Sequence, residues 1–138
     1  MSTTKRILLV QGHPDPDGRR FCHALADSYR EGAASARHEI RILDVARLDF
    51  PLLRSKHEWE QEPVPPGLVE AQASIWWAQH LVFVFPLWLG DMPALLKGFL
   101  EQVARPGFAF GNLMQRRWRR RYLPAAAPAS ERSQPGAN

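Results

Sequence analysis

The sequence predicts an α/β fold built on a parallel sheet, because short apolar segments with strand character alternate with longer segments of helical periodicity. Three observations lead to this class: a continuous apolar run near the start, a second apolar run at 81–85, and helical patterns between and after them. The order is strand, helix, strand, helix, strand, helix. Alternation of this kind favours right-handed crossovers between parallel strands.

The three predicted strands differ in pattern. Residues 7–10 form an uninterrupted apolar run before Gly12, which is typical of a buried parallel strand. Residues 38–45 alternate between isoleucine and charged residues, which indicates a strand near the edge of the sheet. Residues 81–85 are rich in β-branched and aromatic side chains and give the strongest strand pattern of the chain.

Three helices are predicted from apolar periodicity. The first covers 20–34, the second covers 68–78, and the third begins at Pro93, which is tolerated at the first helical position. Their expected apolar faces are Phe21, Leu25 and Ser28 or Tyr29 in the first, Leu68, Ala71 and Ile75 in the second, and Leu96, Phe99, Leu100 and Val103 in the third. Residues 49–67 contain four prolines and predict a long surface connection with at most one helical turn.

Composition limits the possible classes of protein. The chain has 138 residues, which is enough for one domain, and a single cysteine, Cys22, which excludes an internal disulfide. Its apolar runs are too short for a membrane span or a signal peptide, so we expect a cytoplasmic protein. The net charge of +4 arises in residues 105–138, where seven arginines face one acid, while residues 1–104 are mildly acidic.

Two loops are candidates for a binding site. In an open parallel sheet, ligands bind beyond the carboxyl ends of the strands where the strand order reverses. If the first and third strands are neighbours, in the order 2-1-3, loops 11–20 and 86–92 line the same crevice. The sequence therefore places its candidate site between these two loops.

The first loop runs into the start of a helix, where free backbone N–H groups favour a phosphate. His13, Arg19 and Arg20 supply further donors, whereas Asp15 and Asp17 oppose anion binding and are expected to face water. The alternative is a solvated turn shaped by its prolines and Gly18. The loop matches neither the phosphate-binding P-loop nor the dinucleotide-binding glycine motif.

The second loop carries Leu87, Trp88 and Leu89 directly after a buried strand. Such side chains can cover one face of a planar ring, while the backbone meets the polar edge of that ring. The alternative is packing in the core beneath the following helix. The histidines at 23, 57 and 80 have no spacing typical of a metal site, so no metal is expected.

The strings GHPDPDGRRFCHAL and FVFPLWLGDMPALLKGFLEQVARPGFAF resemble the flavodoxin-like NAD(P)H:quinone oxidoreductases. In that family a His-containing phosphate loop ends in Phe, and a PLxWxxxPAxLKG stretch precedes GFAF. The resemblance covers roughly residues 5–110 and implies a three-layer α/β/α fold. It also implies a noncovalent flavin, either FAD or FMN, with NAD(P)H as co-substrate, a quinone-like acceptor and a homodimer.

The resemblance also implies roles for particular residues. His13 and the segment Arg20, Phe21 and Cys22 would hold the flavin phosphates. Along the isoalloxazine ring would lie Pro86, Leu87, Trp88, Leu89 and Gly90. No catalytic side chain is implied, because the flavin itself carries out the hydride transfer.

Beyond residue 110 the sequence departs from the family, which continues with a fourth and a fifth strand. Residues 1–110 are therefore expected to form an incomplete flavodoxin-like domain, and residues 111–138 a basic, Pro/Ala-rich disordered tail. The arginine, alanine and proline bias of this tail leads to the hypothesis of a frameshift or a truncation. The missing strands would remove one wall of the flavin site and uncover the third strand.

Three alternatives remain at this point. The first, within the same family, is an electron-transfer protein or a flavin-binding regulatory subunit of a transporter. The second is an inactive remnant of a quinone oxidoreductase. A more distant alternative is nucleic-acid binding through QRRWRRR, in which arginines would contact phosphates and Trp118 would stack on a base.

Overall fold

Three parallel strands form the sheet in the order β2-β1-β3. They are β1 (Arg6–Gln11), β2 (Glu39–Asp44) and β3 (His80–Val84). The central strand, β1, pairs along its whole length with β2 and from Ile7 onward with β3. The computed structural model describes residues 3–109 of the chain, and within them it confirms the α/β class and the order 2-1-3.

Four helices connect and flank these strands in the described range. They are α1 (Phe21–Ser35), α2 (Lys56–Gln61), α3 (Val69–Trp77) and α4 (Ala94–Val103). Helix α2 is the helical turn expected within 49–67. Its N-cap is Ser55, whose hydroxyl accepts the N–H of Glu58 at 3.1 Å. Short 3₁₀ turns at Val45–Arg47 and Pro66–Leu68 complete the connections after β2 and before α3.

The main core lies between one face of β1 and helices α3 and α4. Leu8 and Val10 project from β1 into it and are fully buried. The other buried members of this cluster are Val45, Leu68, Ala71, Leu96, Phe99 and Val103. The apolar faces predicted for α3 and α4 are therefore confirmed. No helix in residues 3–109 combines the length and the apolar character needed to cross a bilayer.

The predicted core face of α1 is wrong. Phe21 is 76% exposed, and Leu25 and Tyr29 are also exposed, whereas the buried side chains are Cys22, Ala26 and Ala33. The face that packs on the sheet is built from small residues, which allow the helix axis to approach β1 closely. The spacing of the large apolar side chains therefore predicted the wrong face of α1, which is exposed and lies next to the buried face.

The outer edge of β3 remains open within the described part of the chain, where β1 is its only partner. Leu81 and Phe83 are partly exposed, although they alternate with the half-buried Val82 and Val84. The expectation that the flank of the third strand is uncovered in the whole chain concerns residues outside the described range and stays a prediction. An open apolar edge is available for pairing with a further strand.

A buried arginine connects the ends of α2 and α4. The guanidinium of Arg105 donates to the backbone carbonyls of Glu58 and Glu62 at the end of α2. It also donates to the carbonyl of Gln102 at 3.0 Å and to its side-chain oxygen. The carbonyl ends of helices carry partial negative charge, so they compensate this buried cation.

Replacing Arg105 by Met should lower the free energy of unfolding by about 1–3 kcal/mol, because buried carbonyl groups lose their donors. Urea denaturation followed by circular dichroism measures this change. The matched control is Arg54→Met, since the side chain of Arg54 is exposed. Equal stability of the two variants would contradict a structural role for the buried guanidinium.

Candidate functional site

The two candidate loops meet because the ends of β1 and β3 are held together. The N–H of Gly12 donates to the carbonyl of Val84 at 2.8 Å, which extends the strand pairing by one residue. A Cβ atom at Gly12 would lie 2.7 Å from a side-chain carbon of Leu96 and 3.1 Å from the Cβ of Phe85. Only glycine allows this approach without displacing its neighbours.

Gln11, the last residue of β1, fixes the first loop to α1. Its side-chain oxygen accepts the N–H of His13 at 3.1 Å, and its amide nitrogen donates to the carbonyl of Cys22 at 3.1 Å. The Nδ1 atom of His13 in turn accepts the N–H of Asp15 at 3.0 Å. The loop backbone is therefore ordered by side chains that sit at the strand end.

The charged side chains of the loop pair with one another. Arg20 and Asp15 form an ion pair at 2.6 Å, and Arg19 and Asp17 form another at 2.8 Å. The pKa of Asp15 is held below its usual value by the N–H of Asp17 and then by the guanidinium of Arg20. Because the acids engage both arginines, the charge that Arg19 and Arg20 would offer to an anion is largely neutralised.

The start of α1 offers backbone donors beside this loop. The N–H groups of Phe21 and Cys22 have no acceptor in residues 3–109, as expected for the first turn of a helix. The thiol of Cys22 is buried, so this residue can reach a ligand only through its backbone. Phe21 is the first residue of this helix, and its ring is exposed.

The second loop is a tight hairpin with apolar side chains at its surface. Trp88 and Asp91 exchange backbone hydrogen bonds of 2.8 and 3.2 Å around a turn in which Leu89 and Gly90 have φ of 52° and 82°. Leu87 is 73% exposed, Trp88 is half-exposed and Leu89 is fully exposed. These side chains are not packed in the core, which removes the alternative considered from the sequence.

Trp88 brings the two loops into contact. Its indole meets the imidazole of His13 edge-on, with ring centroids 6.0 Å apart and an interplanar angle of 83°. His13 is only 8% exposed, and His23 of α1 packs against its other side with centroids 5.4 Å apart. Burial and then the neighbouring His23 lower the pKa of His13, so its imidazole is neutral at pH 7.

The structure thus brings together the two sets of predicted site residues. The contact that joins the two sets is that of Trp88, in the 86–90 segment, with His13 of the first loop. Sequence reasoning missed Gln11, His23 and Asp91, which position the loops. Gln11 could have been found from the sequence, because it is a polar residue at the end of an otherwise apolar strand. No cluster of metal-ligating side chains occurs between residues 3 and 109.

This donor set fits a phosphorylated flavin. His13 Nε2 and the unpaired N–H groups of Phe21 and Cys22 suit a phosphate. In the hairpin, the N–H groups of Leu89 and Gly90 have no acceptor within the described range, and they lie beside exposed apolar side chains. A planar ring with polar edges matches that combination.

By its fold, the chain is an open parallel α/β protein whose candidate site lies at the carboxyl ends of β1 and β3. A family model described as the flavodoxin-like fold matches residues 5–127. The chain therefore belongs to this flavodoxin-like family, which includes NAD(P)H:quinone oxidoreductases.

Several known proteins are similar to this chain. An uncharacterized NAD(P)H oxidoreductase, YcaK of Escherichia coli, is 30% identical over 79% of this chain and 57% of its own length. A ribosyldihydronicotinamide dehydrogenase-like protein, traD of Penicillium crustosum, is 28% identical over 85% of this chain and 51% of its own. The solved NAD(P)H:quinone oxidoreductase from Methanothermobacter marburgensis superposes with a TM-score of 0.67, at 27% identity over 78% of this chain and 57% of its own.

The chain spans about half the length of the curated relatives that it matches. The match to the family model runs to residue 127, past the domain boundary predicted at residue 110. The predicted tail, 111–138, lies outside the described residues. That boundary and the frameshift hypothesis therefore stay predictions, which resequencing of the gene across codon 111 tests.

Gln11→Met should speed hydrogen exchange at the N–H of His13 by about fivefold, because that N–H loses its acceptor, a change of roughly 1 kcal/mol. Amide exchange measured by NMR provides the test. Gln61→Met, an exposed change on α2, is the control and should leave this amide unchanged. An unaltered exchange rate at His13 in the Gln11 variant would contradict the anchoring role of Gln11.

Proposed function

We propose that this chain is a flavin-dependent NAD(P)H:quinone oxidoreductase that transfers two electrons from NAD(P)H to a quinone-like acceptor. The observation that carries the proposal is the contact between His13 and Trp88, which places a phosphate-type donor set beside an apolar ring-type surface. The names of its relatives favour the same chemistry. We further propose that the protein is a cytoplasmic homodimer that uses FAD or FMN noncovalently.

The residues of the chain act by binding and orientation. His13 donates from Nε2 to the flavin phosphate, and the first turn of α1 adds the N–H groups of Phe21 and Cys22. Pro86 and Leu87 begin the wall that faces the ring, and the hairpin that follows exposes its N–H groups to the polar edge. The flavin would supply the hydride chemistry when bound, and no side chain of this chain is assigned as a catalytic acid or base.

Arg20 acts indirectly in this site. Its guanidinium is engaged by Asp15, and this pair closes the loop between His13 and α1. Trp88 and Leu89 shield one face of the ring from water, and Gly90 permits the turn that presents them. The crevice can then admit NAD(P)H and the acceptor in succession on the open face.

The purified full chain tests this proposal directly. It should bind FMN or FAD, acquire visible flavin absorption, and oxidise NADH or NADPH in the presence of a menadione-type quinone. Flavin binding without quinone-dependent turnover would instead support the electron-transfer or transporter-regulatory alternative. A colourless chain that no flavin reconstitutes would contradict the proposal and support an inactive remnant.

Trp88→Ala should weaken binding of both FMN and FAD by about tenfold, since it removes an aromatic contact worth roughly 0.5–1.5 kcal/mol in addition to apolar area. Quenching of flavin fluorescence measures the dissociation constant. Trp76→Ala is the matched control, because Trp76 is an exposed tryptophan at the end of α3, where it contacts Phe108. Equal losses in both variants would refute a specific role for Trp88.

A further inference from the structure

His23 has a position that the resemblance does not explain. It lies in the first turn of α1, and its ring packs against that of His13 with centroids 5.4 Å apart. The imidazole of His13 also makes a T-shaped contact with the indole of Trp88. The orientation of the proposed phosphate donor is therefore set partly by His23.

Both histidines are fixed in the same tautomer. The Nδ1 atom of His13 accepts the N–H of Asp15 at 3.0 Å, and that of His23 accepts the N–H of Arg20 at 3.4 Å. A ring nitrogen that accepts a hydrogen bond carries no proton, so each neutral ring is protonated at Nε2. The loop thus presents two neutral imidazole N–H donors side by side.

The second of these donors lacks an acceptor. The Nε2 atom of His23 is buried and has no hydrogen-bond partner in the described part of the chain. An unsatisfied buried donor is destabilising, so such a group in a native structure calls for an explanation such as a functional role. Here the unsatisfied donor lies beside the start of α1, where two backbone N–H groups are also unpaired.

We propose that His23 is a positioning residue for the flavin phosphate: its ring packs against His13 and keeps that imidazole a neutral Nε2–H donor, and protonation of His13 releases the phosphate. This inference rests on the proposed flavin site. Its ligand chemistry is a phosphate ester, which FMN supplies as a monoester and FAD as a diphosphate.

Protonation of His13 opens the loop for a geometric reason. An imidazolium ring carries a proton on Nδ1, so protonated His13 would direct an N–H at the N–H of Asp15. The hydrogen bond from Asp15 to His13 would then be lost.

The charged neighbours of the pair act in both directions. Arg20 opposes protonation of His13 and Asp15 favours it, while burial and His23 keep its pKa below the ordinary 6.5. Around His23, a cavity of about 250 Å³ is also lined by Asp27, Asp44 and Arg47. Trp88, the contact from the β3 loop, is uncharged. Because the folded state favours neutral His13, its stabilising contribution is complete above pH 6.5 and is lost as the pH falls below that value.

The first experiment titrates the full chain with FMN, FAD and riboflavin between pH 8 and pH 5.5. We expect the dissociation constants of FMN and FAD to rise by about tenfold between pH 7 and 5.5, the equivalent of one lost hydrogen bond to a charged group. Riboflavin lacks the phosphate, so its weaker binding should not change over this range. Tighter binding of FMN in acid, or the same pH profile for all three flavins, would overturn the proposal.

The second experiment compares His23→Asn with His38→Asn. Asparagine can still accept the N–H of Arg20 but does not titrate. His38 is the matched control because its Nδ1 also accepts a backbone N–H, that of Lys5, far from the site. In His23→Asn the pKa of His13, followed by NMR without flavin, should rise, and the loss of FMN binding on acidification should therefore begin at a higher pH.

The outcomes of this comparison separate the two proposals. If His13 titrates identically in the wild type and in His23→Asn, the positioning role is refuted even when flavin binds normally. If His13 responds to His23 but no flavin binds at any pH, the coupling of the pair stands and the flavin function is refuted, together with the phosphate role.

Discussion

The close approach of β1 and β3 at their carboxyl ends is the constraint on which the rest of the candidate site depends. It is maintained by one hydrogen bond from Gly12 to Val84 and by a backbone position that has no room for a Cβ atom. His13 follows Gly12 at once, and the 86–90 segment begins two residues after Val84. A larger residue at position 12 would press on Leu96 and Phe85, so these side chains would have to shift at the point where the two loops meet.

The first loop offers dipoles more than charge to the proposed phosphate. Its two acids, which seemed from the sequence to oppose an anion, instead neutralise Arg19 and Arg20 and hold the loop in shape. The remaining donors are neutral imidazole and backbone N–H groups, whose strength depends on fixed direction. Under the proposed function, selectivity for a phosphate ester would come from the order that Gln11 and the Asp15–Arg20 pair impose on the backbone.

Local pattern was sufficient for the elements and their order. Each of these elements packs one face against the core, and the spacing of its apolar residues follows from that contact. This holds for the apolar runs, for the alternation in 38–45 and for the helical periodicity of α3 and α4. For α1 the same reasoning failed, because its buried face consists of Cys22 and alanines that carry little pattern. His23 was missed for a different reason. Its importance depends on its contact with the imidazole of His13 in the preceding loop, and the spacing of residues within α1 does not reveal that contact.

The hairpin after β3 shows why its apolar residues are better explained by a ligand than by folding. Leu89 adopts a left-handed conformation that costs a non-glycine residue about 1–2 kcal/mol, and its side chain gains no burial in return. Leu87 and Trp88 likewise leave apolar area in water. A ring that covers these side chains recovers roughly 25 cal/mol for each Å² of apolar surface removed from water. Since a ligand that binds only the native state stabilises it, the strain at Leu89 is offset when the site is filled.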